Sequence, residues 1–263
     1  MLNEQTQPDH SADILMHLPS HLEQPYGTKA RIGLIVLSTD PVIERDFHKL
    51  VPGDDIGVYS TRIYLETPNS DRTLTALQDE IEEAVKLIIP DTRLDAVVFG
   101  CTAASTLIGP DQIAARVARG RPGLATTNPA TASLAALRRL GAKKIVLVTP
   151  YTMEMTANVC KFLSEGGLQF TSVRAIGCDT DDAIGSVPAS VYVDAVRQSD
   201  LAGADAIFIS CTVTKALSEI EMLEAETGLP VVTSNQASFW HALTLAGWST
   251  PINGYGRLLR EMW

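Results

Sequence analysis

The stretch Val97-Val98-Phe99-Gly100-Cys101-Thr102-Ala103-Ala104-Ser105 runs from apolar, β-branched residues straight into Cys-Thr and then into small residues. An apolar run this short reads as a buried parallel strand, and the small residues after it suit a helix. A second copy lies downstream as Ala206-Ile207-Phe208-Ile209-Ser210-Cys211-Thr212-Val213-Thr214. Working outward from the two copies, other landmarks recur. The apolar run Ala30 to Leu37 ends at Ser38-Thr39-Asp40-Pro41, and Asp40 precedes Cys101 by 61 residues; the run from Lys144 ends at Tyr151, 60 residues before Cys211. Asn128 follows Cys101 by 27 residues, and Asn235 follows Cys211 by 24. The local texts align as well: LIVLSTD with IVLVTPY, FGCTAAS with ISCTVTK, and PGLATTN with LPVVTSN. Self-similarity with conserved order and spacing marks an internal repeat.

Strand patterns alternate with helical ones along the whole chain, which predicts an α/β protein with parallel sheets. Strands are expected at 30–37, 56–63, 94–99, 123–126, 144–148, 170–176, 206–210 and 230–233. Helices are expected at 42–50, 74–89, 113–118, 131–140, 189–198, 215–226 and 237–245. Ser, Thr and Asp before Pro41 are start signals, and Gly141 and Gly228 are stop signals. The repeat predicts two pseudosymmetric lobes, each a parallel sheet flanked by helices, with the active site in the cleft between them. The expected division is an N-terminal arm at 1–28, a first lobe at 29–127 with 236–263 packing back on it, and a second lobe at 128–235. In the arm, Ile14-Leu15-Met16 is a short apolar run that could pack on a neighbour, and a homo-oligomer is expected.

The chain has 263 residues and a formal net charge of −10, which speaks against a nucleic-acid partner. The N-terminus lacks a basic segment followed by an apolar core, and no apolar run approaches the ~18 residues of a membrane span. No membrane partner is therefore expected, and the reading is a cytoplasmic protein with reduced thiols. The four cysteines, Cys101, Cys160, Cys178 and Cys211, show no metal-ligand spacing.

In open parallel sheets, ligands sit beyond the carboxyl ends of the strands. Asp40, Cys101, Asn128, Tyr151, Cys211 and Asn235 all fall at such ends. Each Cys-Thr is expected where a helix begins, where the N-terminal N–H groups lower a thiol pKa and bind an anion. Two thiols on opposite sides of a small substrate can do what one cannot. One, as thiolate, removes a proton from carbon or adds to an alkene; the other delivers a proton from the opposite face. The products are those of racemisation, epimerisation or cis–trans isomerisation, and no metal, flavin or pyridoxal cofactor is required.

The segments GLIVLSTD (33–40), VVFGCTAAS (97–105), VTPYT (148–152), ISCTVTKA (209–216) and VVTSNQASFWHAL (231–243) resemble the aspartate/glutamate racemase superfamily. Within it they are most similar to the maleate isomerase and arylmalonate decarboxylase branch, including ectoine-utilisation relatives. The resemblance implies cofactor-independent chemistry between two α/β lobes. It also implies that Cys101 and Cys211 are the catalytic pair, that Tyr151 holds a substrate carboxylate, and that Thr102 and Thr212 bind carboxylate. The decarboxylases keep only the second cysteine, so the presence of both favours an isomerase or racemase. Maleate isomerases usually carry Asn where Asp40 stands, and tend to have an Asn near Asp181-Asp182. A carboxylate at Asp40 suits an ammonium group, which points to an amino acid or acylated diamino acid as the small carboxylate substrate. Asp40, Asp182, Asn128 and Asn235 complete the expected substrate-binding set. The bland alternatives are that Asp40, Asn128 and Asn235 merely cap helices and that Tyr151 is an aromatic plug. For the acidic run 179–182 the plain reading is a solvated loop, for Cys160 and His241 packing, and for His48 the surface. Other functional readings are maleate cis–trans isomerisation, decarboxylation of a malonate-type acid, and metabolite binding without turnover.

Overall fold

The computed structural model describes residues 19, 21 and 26–262, so the expected arm lies largely outside the described residues. The first series is β1 (Ala30–Leu37), α1 (Ile43–Leu50), β2 (Ile56–Ile63), α2 (Asp71–Ala76), α3 (Ile81–Leu87), β3 (Ala96–Gly100), α4 (Thr102–Ile108), α5 (Pro110–Gly120), β4 (Ala125–Thr127) and α6 (Pro129–Arg139). The second is β5 (Lys144–Tyr151), α7 (Met153–Glu165), β6 (Gln169–Cys178), α8 (Asp181–Ser186), α9 (Ala189–Arg197), β7 (Ala206–Ile209), α10 (Ile220–Thr227), β8 (Val231–Thr233), α11 (Ser234–Leu245) and α12 (Arg257–Arg260).

The repeat seen in the sequence is a repeat of topology. One sheet has the order β2-β1-β3-β4 and the other β6-β5-β7-β8, and every pairing is parallel. Val36 pairs with Gly100 at the end of β3, and Val148 pairs with Ile209 at the end of β7. The strand ends carrying Asp40 and Cys101 are thus neighbours, as are those carrying Tyr151 and Cys211. The central strands β1, β3, β5 and β7 are almost fully buried, as parallel strands covered on both faces must be. Gly100 has no substitute: a Cβ there would stand 2.8 Å from the Ile35 carbonyl oxygen and 2.9 Å from Ile43 Cδ1.

The crossing helices tie the sheets together. α11 follows the last strand of the second sheet yet packs on α6, α1, β3 and β4. The Phe47 and Phe239 rings meet edge-on at 5.4 Å where α1 and α11 touch.

Three expectations are corrected. The helix expected at 74–89 is two helices joined by a 3-10 turn at Leu77–Asp79. Ser70 and Thr73 close a capping box that starts α2 earlier, and α2 packs on α4 while α3 packs on α5, β1 and β2. The helix expected from Lys215 begins only at Ile220, after a 3-10 turn at Leu217–Glu219; it stops, as expected, at Gly228 with φ 71°. The acidic run is not a plain loop, because Thr180 Oγ1 accepts from the Ala183 N–H at 3.2 Å and starts the short helix α8.

Candidate active site

Cys101 follows β3 and is the N-cap of α4, where its Sγ accepts from the Ala104 N–H at 3.4 Å. Cys211 differs. Its backbone is in the left-handed region at φ 93°, and no helix starts beside it. Non-glycine residues rarely take that conformation, which costs on the order of 1–2 kcal/mol, so neighbouring groups must hold it. The Cys211 N–H donates to Ser234 Oγ at 3.0 Å, its carbonyl accepts from Thr214 Oγ1 at 3.0 Å, and its Sγ accepts from the Val213 N–H at 3.4 Å. Tyr151, 3% exposed at the end of β5, sits beside Cys211, and its hydroxyl favours the Cys211 thiolate.

Both sulfurs are buried, Cys101 at 7% and Cys211 at 4% exposure. Burial pushes the Cys101 thiol up; the Ala104 and Ala103 N–H groups pull it down, and the charges of Asp181 and Asp40 push it further up. Burial is also the first cause at Cys211, followed by Asp181, with Tyr151 and the Val213 N–H opposing and Asp40 adding. The expectation that a helix start leaves an activated thiolate is therefore corrected. Desolvation and two carboxylates outweigh the backbone donors at both thiols. Tyr151 is raised by burial, then by Cys211, Cys101 and Asp181. Asp40, Cys101, Tyr151, Asp181 and Cys211 thus act on one another, so groups from strand ends of both sheets and from α8 lie within electrostatic reach.

Asp40 is 1% exposed. Its Oδ1 accepts from the Val42 N–H at 2.7 Å and the Ile43 N–H at 3.0 Å, so it does start α1, while Oδ2 has no partner. Burial raises its pKa first; the two N–H groups and the nearby Thr212 side chain oppose this, and Asp181 adds to it. Of the acidic pair on α8, Asp181 turns inward. Its Oδ2 accepts from Thr39 Oγ1 at 2.5 Å and its Oδ1 from Asn69 Nδ2 at 3.1 Å, which ties α8 of the second series to the first. Asp182, the residue expected to bind substrate, is exposed on the wall of a groove of about 630 Å³ that also includes Thr39, Pro41 and Thr67.

Thr102 and Thr212 are each 2% exposed. The Thr102 hydroxyl donates to Ser234 Oγ at 3.0 Å, so Ser234 joins both Cys-Thr segments through one oxygen. Asn235 Nδ2 donates to the Thr212 carbonyl at 2.8 Å and to Asp46 Oδ2 at 2.9 Å. Asn128 Oδ1 accepts from the Thr131 N–H at 2.9 Å and caps α6. His241 Nδ1 bonds Thr127 Oγ1 at 2.7 Å and its ring stacks on Trp240, and Cys160 and Cys178 pack at the rim of the core. Among the described residues, no group of three or more His, Cys, Asp and Glu side chains is placed to hold a metal ion, and no helix is long and apolar enough to cross a membrane.

Asp46 and Ser234 were not among the expected site residues, and of the acidic run Asp182 rather than Asp181 was expected to bind substrate. Asp46 had a signal, since it shares a helical face with Ile43, Phe47 and Leu50, all buried. Burial raises Asp46 to about 6, against opposing effects of Asn235, Arg45 and Lys49, with Asp40 adding to the rise. Its protonated form is thus favoured in the fold, and its contribution to stability is fullest below the unfolded value near 3.8 and is lost as pH rises to about 6. Thermal melts of wild type and Asp46→Asn should agree near pH 4 and diverge toward pH 7, with the variant more stable by up to about 3 kcal/mol. A difference independent of pH would contradict this.

Against this geometry, the family model for arylmalonate decarboxylase matches residues 67–259. The chain belongs to that family. It is 30% identical over 242 residues to the maleate isomerase of Nocardia farcinica, covering 88% of this chain and 96% of the relative. It is 36% identical over 146 residues to the arylmalonate decarboxylase of Bordetella bronchiseptica, covering 54% and 61%. Among solved structures of the family, the N. farcinica maleate cis–trans isomerase superposes with a TM-score of 0.81 at 28% identity, covering 88% of this chain and 98% of that one. That structure is a cysteine-to-serine variant with a covalently bound succinylcysteine intermediate. The arrangement of two four-stranded parallel sheets seen in this chain is thus shared at the level of fold with that isomerase structure.

Proposed function

We propose that the protein is a cofactor-independent two-cysteine isomerase acting on a small carboxylate that also carries a cation, an amino acid or an acylated diamino acid. The observation that carries the substrate class is the charge around the thiols. Asp181 and Asp40 are the charged side chains that act most strongly on Cys101 and Cys211, and among the described residues the buried Asp40 carboxyl is paired with no cation, only with the Val42 and Ile43 N–H groups and the Thr212 side chain. A second substrate carboxylate about 4 Å from an ionised Asp40 would cost ~4 kcal/mol at an effective dielectric near 20. An ammonium group there gains a similar amount, and it offsets the negative charge that adds to burial in raising both thiols.

In this reading Tyr151 and the Thr102 and Thr212 segments orient the substrate carboxylate, and Asn128 and Asn235 shape the pocket around it. One thiolate takes the α-proton, leaving the electron pair on carbon. The opposite thiol returns a proton to the other face, so the two sulfurs exchange protonation states.

A second reading is maleate cis–trans isomerisation, and one observation favours it. The pKa of Asp40 is raised. A neutral Asp40 would donate to a carboxylate, as an asparagine would. Proton NMR in D₂O separates the two. Enantiopure amino acids, N-acylated diamino acids and maleate are each incubated with the enzyme. Loss of an α-proton signal from a cationic or acylated amino acid is the expected result. Conversion of maleate to fumarate, with no exchange in any amino acid, overturns the substrate assignment.

A further inference from the structure

A carboxyl group 2% exposed on the apolar face of α1 is costly unless it does something there. We propose that Asp46 is a positioning residue for Cys211, acting through the Asn235 amide; this rests on the reading that Cys211 does chemistry. Asn235 Nδ2 donates one hydrogen to Asp46 Oδ2 at 2.9 Å and the other to the Thr212 carbonyl at 2.8 Å. Its own Oδ1 is buried with no donor. The amide is therefore oriented by two acceptors alone, and a flip would set Oδ1 against both of them. With Asp46 in place, the Thr212 carbonyl is pinned immediately after Cys211.

Ser234, the preceding residue of α11, pins the other side by accepting from the Cys211 N–H at 3.0 Å. Two consecutive residues of α11 thus clamp a cysteine whose φ is 93°. Asp46 ties that clamp to α1, with the Phe47–Phe239 contact beside it. The charged groups that act on Asp46 are Arg45 and Lys49 of its own helix and Asp40 of the preceding turn. Cys101, between β3 and α4, is linked to the clamp only through Thr102 and Ser234 and not through Asn235, the residue that Asp46 holds, so it serves as an internal reference.

The test is native-state alkylation by iodoacetamide, with Cys211 and Cys101 followed separately by peptide mass. At 4% exposure, access limits the reaction of Cys211, so a loosened turn speeds it. Asp46→Leu removes the acceptor and should raise the Cys211-to-Cys101 alkylation ratio about fivefold, as local opening becomes easier. Asp46→Asn keeps an acceptor oxygen for Asn235 and should stay within about twofold of wild type. An unchanged ratio in Asp46→Leu, a parallel rise at both cysteines, or an Asp46→Asn ratio equal to that of Asp46→Leu overturns the proposal. If Asp46→Leu does not fold, Asp46→Ala takes its place under the same criteria. The readout needs no turnover, so a Cys211→Ser enzyme with full activity would refute the isomerase reading and leave this result standing.

Discussion

Cys101→Ala and Cys211→Ala are each expected to lower kcat by at least about 10³-fold, the scale set by losing a general acid/base or nucleophile. KM and the melting temperature should change little. The sulfurs come from equivalent places in the repeat, after β3 and β7, and in the proposed mechanism they act on opposite faces of the substrate. Neither can take over the other's face of the substrate, so the two losses should be similar and the double variant little worse than either. Serine should not rescue, because a buried hydroxyl is far harder to ionise than a buried thiol. Steady-state rates and melts on the same preparations check this. If either single variant turns over at the wild-type rate, the two-thiol mechanism is wrong.

Asp40→Asn should change which substrate is used rather than whether the protein folds. Asn retains an Oδ1 to accept from the Val42 and Ile43 N–H groups, so the start of α1 survives. What disappears is the charge at Oδ2. At ~4 kcal/mol for a pair about 4 Å apart, the loss is up to roughly 10³-fold in kcat/KM for a cationic substrate. A dicarboxylate should be used better by the variant, since the repulsion is gone. Competition kinetics with an amino acid and maleate measure the switch. Equal preference in variant and wild type would mean that Asp40 is neutral in the complex and acts as an asparagine does.

Much of this was legible because the chain says the same thing twice. The spacing of Asp40, Cys101 and Asn128 against Tyr151, Cys211 and Asn235 anticipated two repeated parallel sheets, and the structure adds that they share one strand order. It also led to the expectation of one cleft, since strand ends in parallel sheets collect ligands. What the repeat concealed is how its halves differ. Cys101 caps a helix while Cys211 sits in a left-handed turn, yet both read as Cys-Thr after an apolar strand. Gly100 and Ser210 hold equivalent places, but only Gly100 is forced by backbone contact. The sign of the thiol shifts depended on burial and on Asp181, a contact made across 142 residues of sequence to Thr39. Local pattern could not say which of Asp181 and Asp182 turned inward, because helix α8 sets that and only Thr180 hints at it.

The measurement that bears most directly on a pair of opposed thiols is the fate of hydrogen at the isomerised carbon in D₂O. An enantiopure substrate from the amino-acid panel is followed through the first few per cent of conversion, and mass spectra are taken of both enantiomers. A proton removed by one sulfur and delivered by another gives product that carries deuterium while the remaining substrate stays unlabelled. Product that retains the original hydrogen, or label entering substrate and product equally from the start, would show one base acting on both faces and would contradict the two-cysteine account.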